Sequence, residues 1–165
     1  MVLKLEKFRA DDFQLYYSLV NNEQVMAMIT ERALEFDEAK KDFEKIISFN
    51  SRDPLLGYYK ILEKDNLEFI GLGKLELEDL EKKEAELGYM ILPQYWGKGI
   101  ASTISLTLIE LAKLNTSIDK LYAIIDPKNG PSRKVLTKNG FKHKEYLEYE
   151  GLPGEILELK MKQIN

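Results

Sequence analysis

The chain has 165 residues, 44% hydrophobic and 32% charged, with a formal net charge of −4, a size and balance that suit one folded domain with a sizeable core and exclude disorder. It contains no cysteine and one histidine, His143, which excludes disulfides, thiolate nucleophiles and cysteine metal sites and leaves no set of ligands for a histidine zinc centre, so no metal is expected. The acidic balance argues against a nucleic-acid or anionic-membrane partner, no apolar run reaches the ~18 residues that span a bilayer, and the alternating opening residues 1–8 are unlike an export signal, so a cytoplasmic location is expected.

Alternation over residues 2–8 predicts a first strand. Asp11 and Asp12 stand where a helix start favours acids, and a helix follows to about Val20. A second helical piece covers 23–29. Phe36, Ala39, Phe43, Ile46 and Ile47 recur at helical spacing and predict a third helix over 37–49, broken by residues 51–54. Residues 57–63 and 67–78 read as a hairpin turning at Asp65-Asn66, a pair that tolerates positive φ. A charged turn over 79–83 leads into a strand over 82–92. Propensity alone reads 75–86 as helix, but the alternation from Lys74 to Glu78 favours strand. After Pro93, a long helix buries Ile104, Leu108, Leu111 and Ala112 and ends near Asn115. A compact strand covers 121–125. Asn129-Gly130-Pro131-Ser132 opens a short helix, and Asn139-Gly140 is a left-handed stop signal. Residues 141–150, a turn over 151–154 and residues 155–161 give a closing hairpin. The order β-α-α-α-β-β-β-α-β-α-β-β describes an α/β chain on one sheet, with residues 1–165 as a single domain.

The chemistry concentrates where strand, glycine turn and helix meet, from Ile91 to Ala101. The first N–H groups of a helix lack intrahelical partners and carry partial positive charge. Glycines at positions 97 and 99 let the backbone approach an anion, and a pyrophosphate is the natural guest of such a mouth. Lys98 adds a charge or points to water. The bland alternative is a tight turn feeding a core helix. Two specific rivals fail: no Gly-Lys-Ser/Thr closes a Walker A loop, and Ser102 stands where a dinucleotide fingerprint needs its third glycine.

The run Leu87-Gly88-Tyr89-Met90-Ile91-Leu92-Pro93-Gln94-Tyr95-Trp96-Gly97-Lys98-Gly99-Ile100-Ala101 resembles the acetyl-CoA motif of GNAT N-acetyltransferases, most closely the branch with the ribosomal-protein N-terminal acetyltransferases. Asn129-Gly130-Pro131-Ser132 followed by Lys138-Asn139-Gly140-Phe141 resembles that branch's second signature. Residues 5–9 and Asp12 fit its opening more loosely. The resemblance implies an α/β GNAT domain: a mixed, mostly antiparallel sheet of about six or seven strands, about four or five helices and a splayed cofactor cleft. It implies acetyl-CoA as cosubstrate and a primary amine as acceptor, on a small molecule or a protein N-terminus, with a homodimer possible. The cofactor-binding set would be Met90, Ile91, Leu92, Gly97, Lys98, Gly99, Ile100, Ala101, Ser102 and Asn129. Met90 and Ile91 would polarise the thioester carbonyl through backbone N–H groups, and Asn129 would bond the pantetheine arm unless Asn129-Gly130 is only a turn.

The chain departs from the superfamily pattern twice. Trp96 stands where glutamine or arginine is usual, and Leu136 stands where many members place a tyrosine acid. In the resembled branch the serine after the asparagine is the substitute, pointing to Ser132, which reads equally as a helix-start residue. Without cysteine no acetyl-cysteine enzyme forms, which favours direct attack in a ternary complex. Glu86 approximates the strand carboxylate used as base by some members, against a solvated acid beside Glu81 and Glu84. Tyr16, Tyr17, Met26, Met28 and Phe36 lie where the branch builds its acceptor channel, though such residues are usually core. Tyr146 and Tyr149 carry the same ambiguity, and His143 reads as an exposed or satisfied strand histidine. Two other readings are a non-catalytic acyl-CoA sensor of the same fold and a structural domain that binds nothing.

Overall fold

The computed structural model describes residues 1–77, 81 and 83–161, so part of the predicted 79–83 turn and the predicted strand end at Glu78 lie outside the described residues. The elements follow the predicted order: β1 (Leu3–Lys7), α1 (Phe13–Val20), α2 (Glu23–Met26), α3 (Phe36–Asn50), β2 (Gly57–Glu63), β3 (Phe69–Glu76), β4 (Glu84–Ile91), α4 (Ile100–Lys113), β5 (Lys120–Ile125), α5 (Gly130–Lys138), β6 (Lys142–Tyr149) and β7 (Leu152–Lys160). The seven strands form one mixed sheet in the order β1-β2-β3-β4-β5-β7-β6. The expected α/β domain with an open, mostly antiparallel sheet is therefore found.

Each face of the sheet buries one apolar cluster. Phe13, Tyr16 and Leu19 of α1 and Ala39, Phe43 and Ile46 of α3 pack over Leu72 on one side. Their spacing of three and four residues puts them on one stripe of each helix. Ile100, Ile104, Leu108 and Ala112 of α4 and Leu136 of α5 cover the other side. Leu108 is fully buried, and truncating it to alanine is expected to cost about 2–5 kcal/mol.

One local reading is borne out and three are corrected. The helix expected after Asp11 and Asp12 runs from Phe13 to Val20, preceded by a 3-10 turn over Ala10–Asp12 in which the Asp12 carboxylate turns back to accept from the Arg9 N–H at 2.8 Å and pairs with Lys60 at 2.9 Å. The second ends at Met26 rather than 29, where the N–H groups of Ile29, Thr30 and Glu31 all converge on the Met26 carbonyl and Glu31 turns to φ 64°. In the β2–β3 hairpin the positive φ falls on Leu67 (60°), not on Asp65-Asn66, since the Asn66 side chain accepts from the Glu68 N–H. The last hairpin turns on two residues, Glu150 (φ 51°) and Gly151 (φ 81°), between the paired Tyr149 and Leu152. Two positive φ values match strand twist in so tight a turn, so Pro153 and Gly154 join β7 instead of the predicted loop.

The functional consequence lies at the centre. β4 and β5 run parallel and pair only over Glu84–Glu86 against Lys120–Tyr122. Beyond Glu86, β4 stays with β3 as far as Ile91, while β5 stays with β7 as far as Ile125. The sheet opens there into a V.

Candidate active site

A cleft of about 1160 Å³ occupies the V and reaches from the start of α4 to the α2–α3 side of the sheet. Its first end is built from backbone. Gly97 and Gly99 adopt φ 76° and 77°, the left-handed region that favours glycine, and a Cβ on either would meet nothing within 4 Å. Among the described residues no side chain caps the α4 N-terminus, and its first turn holds no acid. α5 differs: the Asn129 carboxamide oxygen accepts from the Ser132 N–H at 3.2 Å. The α4 mouth therefore keeps its amides open, the arrangement that suits an anion. Trp96 anchors the loop by donating its indole N–H to the Ile91 carbonyl at 2.7 Å. Gly71 is required opposite this strand, because a Cβ there would run into the Met90 carbonyl oxygen.

The other end is built from side chains on β2, β3 and β4. Lys74 pairs across the sheet with Gly88, and Glu76 with Glu86. A Cβ on Gly88 would lie 2.9 Å from Lys74 Cε, so the glycine makes room for the lysine stem. The Lys74 ammonium then reaches Glu76 and Glu86, each at 3.2 Å, which offsets the repulsion of two carboxylates placed opposite each other. Burial works against the Lys74 charge, but Glu86 and Glu76 together outweigh it and raise its pKa. The Tyr58 hydroxyl donates to Glu76 at 2.6 Å, and burial first, then Glu76, push that phenol well above its ordinary value.

Between the two ends, the Tyr89 hydroxyl donates to Ser132 Oγ at 3.0 Å. Burial raises the Tyr89 phenol pKa, so it keeps its proton near neutrality. Leu136, at the position where the resemblance implies a tyrosine, is buried at the wall of the cleft.

The cleft brings together most of the predicted residues. Glu86, Ser132, Met90, Ile91, Gly97, Gly99, Ile100, Ala101, Ser102 and Asn129 all line it. Leu92 and Lys98 do not. The Leu92 N–H donates to the Ile70 carbonyl at 2.9 Å, holding β4 to β3, and the Lys98 ammonium lies 5.5 Å from the Tyr95 ring centroid. Of the channel candidates, Tyr16 and Met28 line the cleft, whereas Met26 is core and Tyr17 and Phe36 pack around Phe13. His143 is held by the buried Glu155 at 2.8 Å, which also takes Arg133, and neither it nor the exposed Tyr146 and Tyr149 lines the cleft. Sequence reasoning missed Tyr89, Lys74, Glu76 and Tyr58. The only signal was the alternating Lys74-x-Glu76 and Glu86-x-Gly88, whose meaning depends on the β3–β4 register.

The acetyltransferase (GNAT) domain family matches residues 3–142. The chain belongs to this family. It is 29% identical over 122 residues to the uncharacterized N-acetyltransferase p20 of Bacillus licheniformis, covering 73% of this chain and 68% of that one. It is 28% identical over 149 residues to the spermidine N(1)-acetyltransferase of Escherichia coli, covering 90% and 77%. Among solved structures, the spermidine N-acetyltransferase from Vibrio cholerae in complex with CoA and spermine shares the fold with a TM-score of 0.82 at 21% identity, covering 98% and 96%. This GNAT chain is thus an acetyl-CoA-dependent N-acetyltransferase, and the uncapped α4 mouth, the two left-handed glycines and the splayed strand edge fit that donor. Among the described residues no group of acids and histidine is placed to hold a metal ion, and no helix is long and apolar enough to cross a membrane. Nothing in the fold, the cleft or the relatives favours a non-catalytic sensor.

Proposed function

We propose that this GNAT enzyme transfers the acetyl group to the primary amine of a small molecule by direct attack, with both substrates in the cleft at once. The observation that carries the reading is the division of one continuous cleft into an anion-binding backbone mouth and an ionisable pocket, with the β4 edge and the Tyr89–Ser132 pair between them. Acetyl-CoA supplies a thioester whose acyl carbon is open to an amine. The amides of Gly99, Ile100, Ala101 and Ser102 would grip its diphosphate, and the side of β4 that β5 leaves at Met90 and Ile91 would align the pantetheine arm and the carbonyl.

An amine in water is largely protonated, so it must lose a proton to react. Glu86, fixed by Lys74, would draw the acceptor's ammonium and take that proton directly or through a water. At the opposite side, Ser132 would give its hydroxyl proton to the departing sulfur while receiving the Tyr89 proton along the existing hydrogen bond, with Tyr89 reprotonated from solvent. Asn129 supports this by capping α5 and fixing Ser132, a role distinct from the expected contact with the pantetheine arm. The relatives named for spermidine support a small amine; a protein N-terminus, suggested by the two signatures, and a homodimer have no comparable support.

Initial rates of thiol release, with acetyl-CoA and an amine varied together, test the proposal. Intersecting double-reciprocal lines are expected for direct attack. Parallel lines would indicate an acyl-enzyme, and no thiol release across small amines and N-terminal peptides would contradict transfer altogether.

A further inference from the structure

The charged side chains of the cleft form two groups of opposite net charge. Among the described residues, the charged side chains that line it are Asp42, Lys45, Arg52, Lys74, Glu76 and Glu86. All six sit away from the α4 mouth, on α3, the segment just after it, β3 and β4. At the floor, two carboxylates flank one ammonium, leaving a net charge of about −1 while all three are ionised. At the rim, the exposed Asp42, Lys45 and Arg52 sum to about +1. Val25, Met28 and Ile29 add an apolar wall. The pocket is a dipole with a greasy side.

Such a pocket does not match a polycation. A polyamine would place its first ammonium against the floor and its others against Lys45 and Arg52, and Lys74 already occupies the place between the two glutamates. An ammonium and a carboxylate on one small apolar body match both poles.

We propose that the acceptor is a zwitterionic amine, a primary amine carrying a carboxylate, bound with its ammonium toward Glu86 and its carboxylate toward Lys45 and Arg52, and that Lys74 excludes polyamines by neutralising one of the floor carboxylates. The inference rests on the acetyl-transfer reading and narrows its substrate class. It separates this chain in its expected acceptor from the relatives named for spermidine.

The test begins with binding, so that it does not depend on turnover. CoA-loaded protein is titrated calorimetrically with methionine, leucine and phenylalanine, with their C-terminal amides, and with spermidine. The parent protein should bind at least one amino acid about tenfold more tightly than its amide, because only the acid has the charge that faces the rim. The K45Q/R52Q variant should lose that preference. K74M, which removes the ammonium between the two floor carboxylates, should bind spermidine about tenfold more tightly than the parent. The K74M/E76Q variant, with the floor back to one negative charge, should lose that gain, a rescue by charge that a merely structural role for Lys74 would not produce. Binding of none of the acids, equal binding of acid and amide, or tighter binding of spermidine by the parent would overturn the assignment. A K74M protein that keeps its circular dichroism but gains no spermidine affinity would overturn the role of Lys74. Rates of thiol release then separate the two levels. Better transfer to spermidine than to any acid removes the zwitterion and leaves acetyl transfer standing, whereas binding without release from every amine removes transfer while the titrations still decide the charge assignment.

Discussion

The two halves of the cleft are made of different material. The α4 half offers backbone: two left-handed glycines, an uncapped helix start and a strand edge released from its neighbour. The β3–β4 half offers side chains, with Lys74, Glu76, Glu86 and Tyr58 locked in one cluster. Backbone recognition tolerates changes of side chain as long as the φ angles and the helix start survive, which is why Trp96 in place of the usual glutamine or arginine leaves the loop intact and even ties it to β4. Side-chain recognition tolerates little, because each charge is balanced by a named neighbour.

The largest expected effect lies in the backbone half. Gly99→Val forces a β-branched residue into a left-handed conformation and places its methyls in the open mouth. CoA affinity, measured by calorimetry, should fall by about 100-fold, or about 2.7 kcal/mol, with circular dichroism preserved. Affinity within threefold of the parent would break the contrast between the halves.

The proton-delivering pair should come next. Ser132→Ala and Tyr89→Phe should each lower kcat by about 30-fold, just below the usual range of general acid catalysis, with CoA affinity unchanged. Because the two hydroxyls act in series, the double variant should be no slower than the worse single one. Multiplying effects would mean that the two act separately.

In the side-chain half, Glu86→Gln should lower kcat/KM for the amine by about tenfold through loss of one proton acceptor, and the loss should shrink as pH rises and more of the amine is already neutral. A pH-independent loss would leave Glu86 as a binding group only.

The smallest effect on catalysis is expected outside the cleft. Glu155, 1% exposed, is bonded by Arg133 and His143, and Arg133 first, then His143, hold its pKa below the ordinary carboxylate value against burial. A depressed folded-state pKa means stability that is present above the unfolded value near 4.3 and is lost as pH falls through the lower folded value. Glu155→Gln should therefore cost about 2 kcal/mol in urea unfolding at pH 7, and the difference from the parent should narrow in acid. An equal cost at both ends of that range would contradict the ionic role.

What could be read from the chain follows the same division. The glycine turn before α4 and the apolar stripe Ile104, Leu108 and Ala112 are local patterns, and the structure reproduces them. So is the alternation that made residues 74–78 a strand instead of a helix, as far as Glu76, where β3 ends. The Lys74 cluster was not legible because Lys74 meets Glu86 only through a lateral register that no local pattern encodes. Tyr89 was quoted within the glycine motif, but its partner lies 43 positions away. The positive φ at Leu67 and the tight turn at Glu150-Gly151 have a further cause: the chain puts ordinary residues at positive φ where strand pairing demands it, and in the first hairpin Asn66 is occupied with a side-chain bond instead.

The most direct measurement is an amide-resolved NMR titration that compares CoA with pantetheine, which lacks the nucleotide and its phosphates. CoA should shift the amides of Gly97, Gly99, Ile100 and Ala101 together with those of Met90 and Ile91, whereas pantetheine should shift only the β4 pair. If CoA left the start of α4 unmoved, or pantetheine moved it as far as CoA does, the diphosphate would not be bound at that helix.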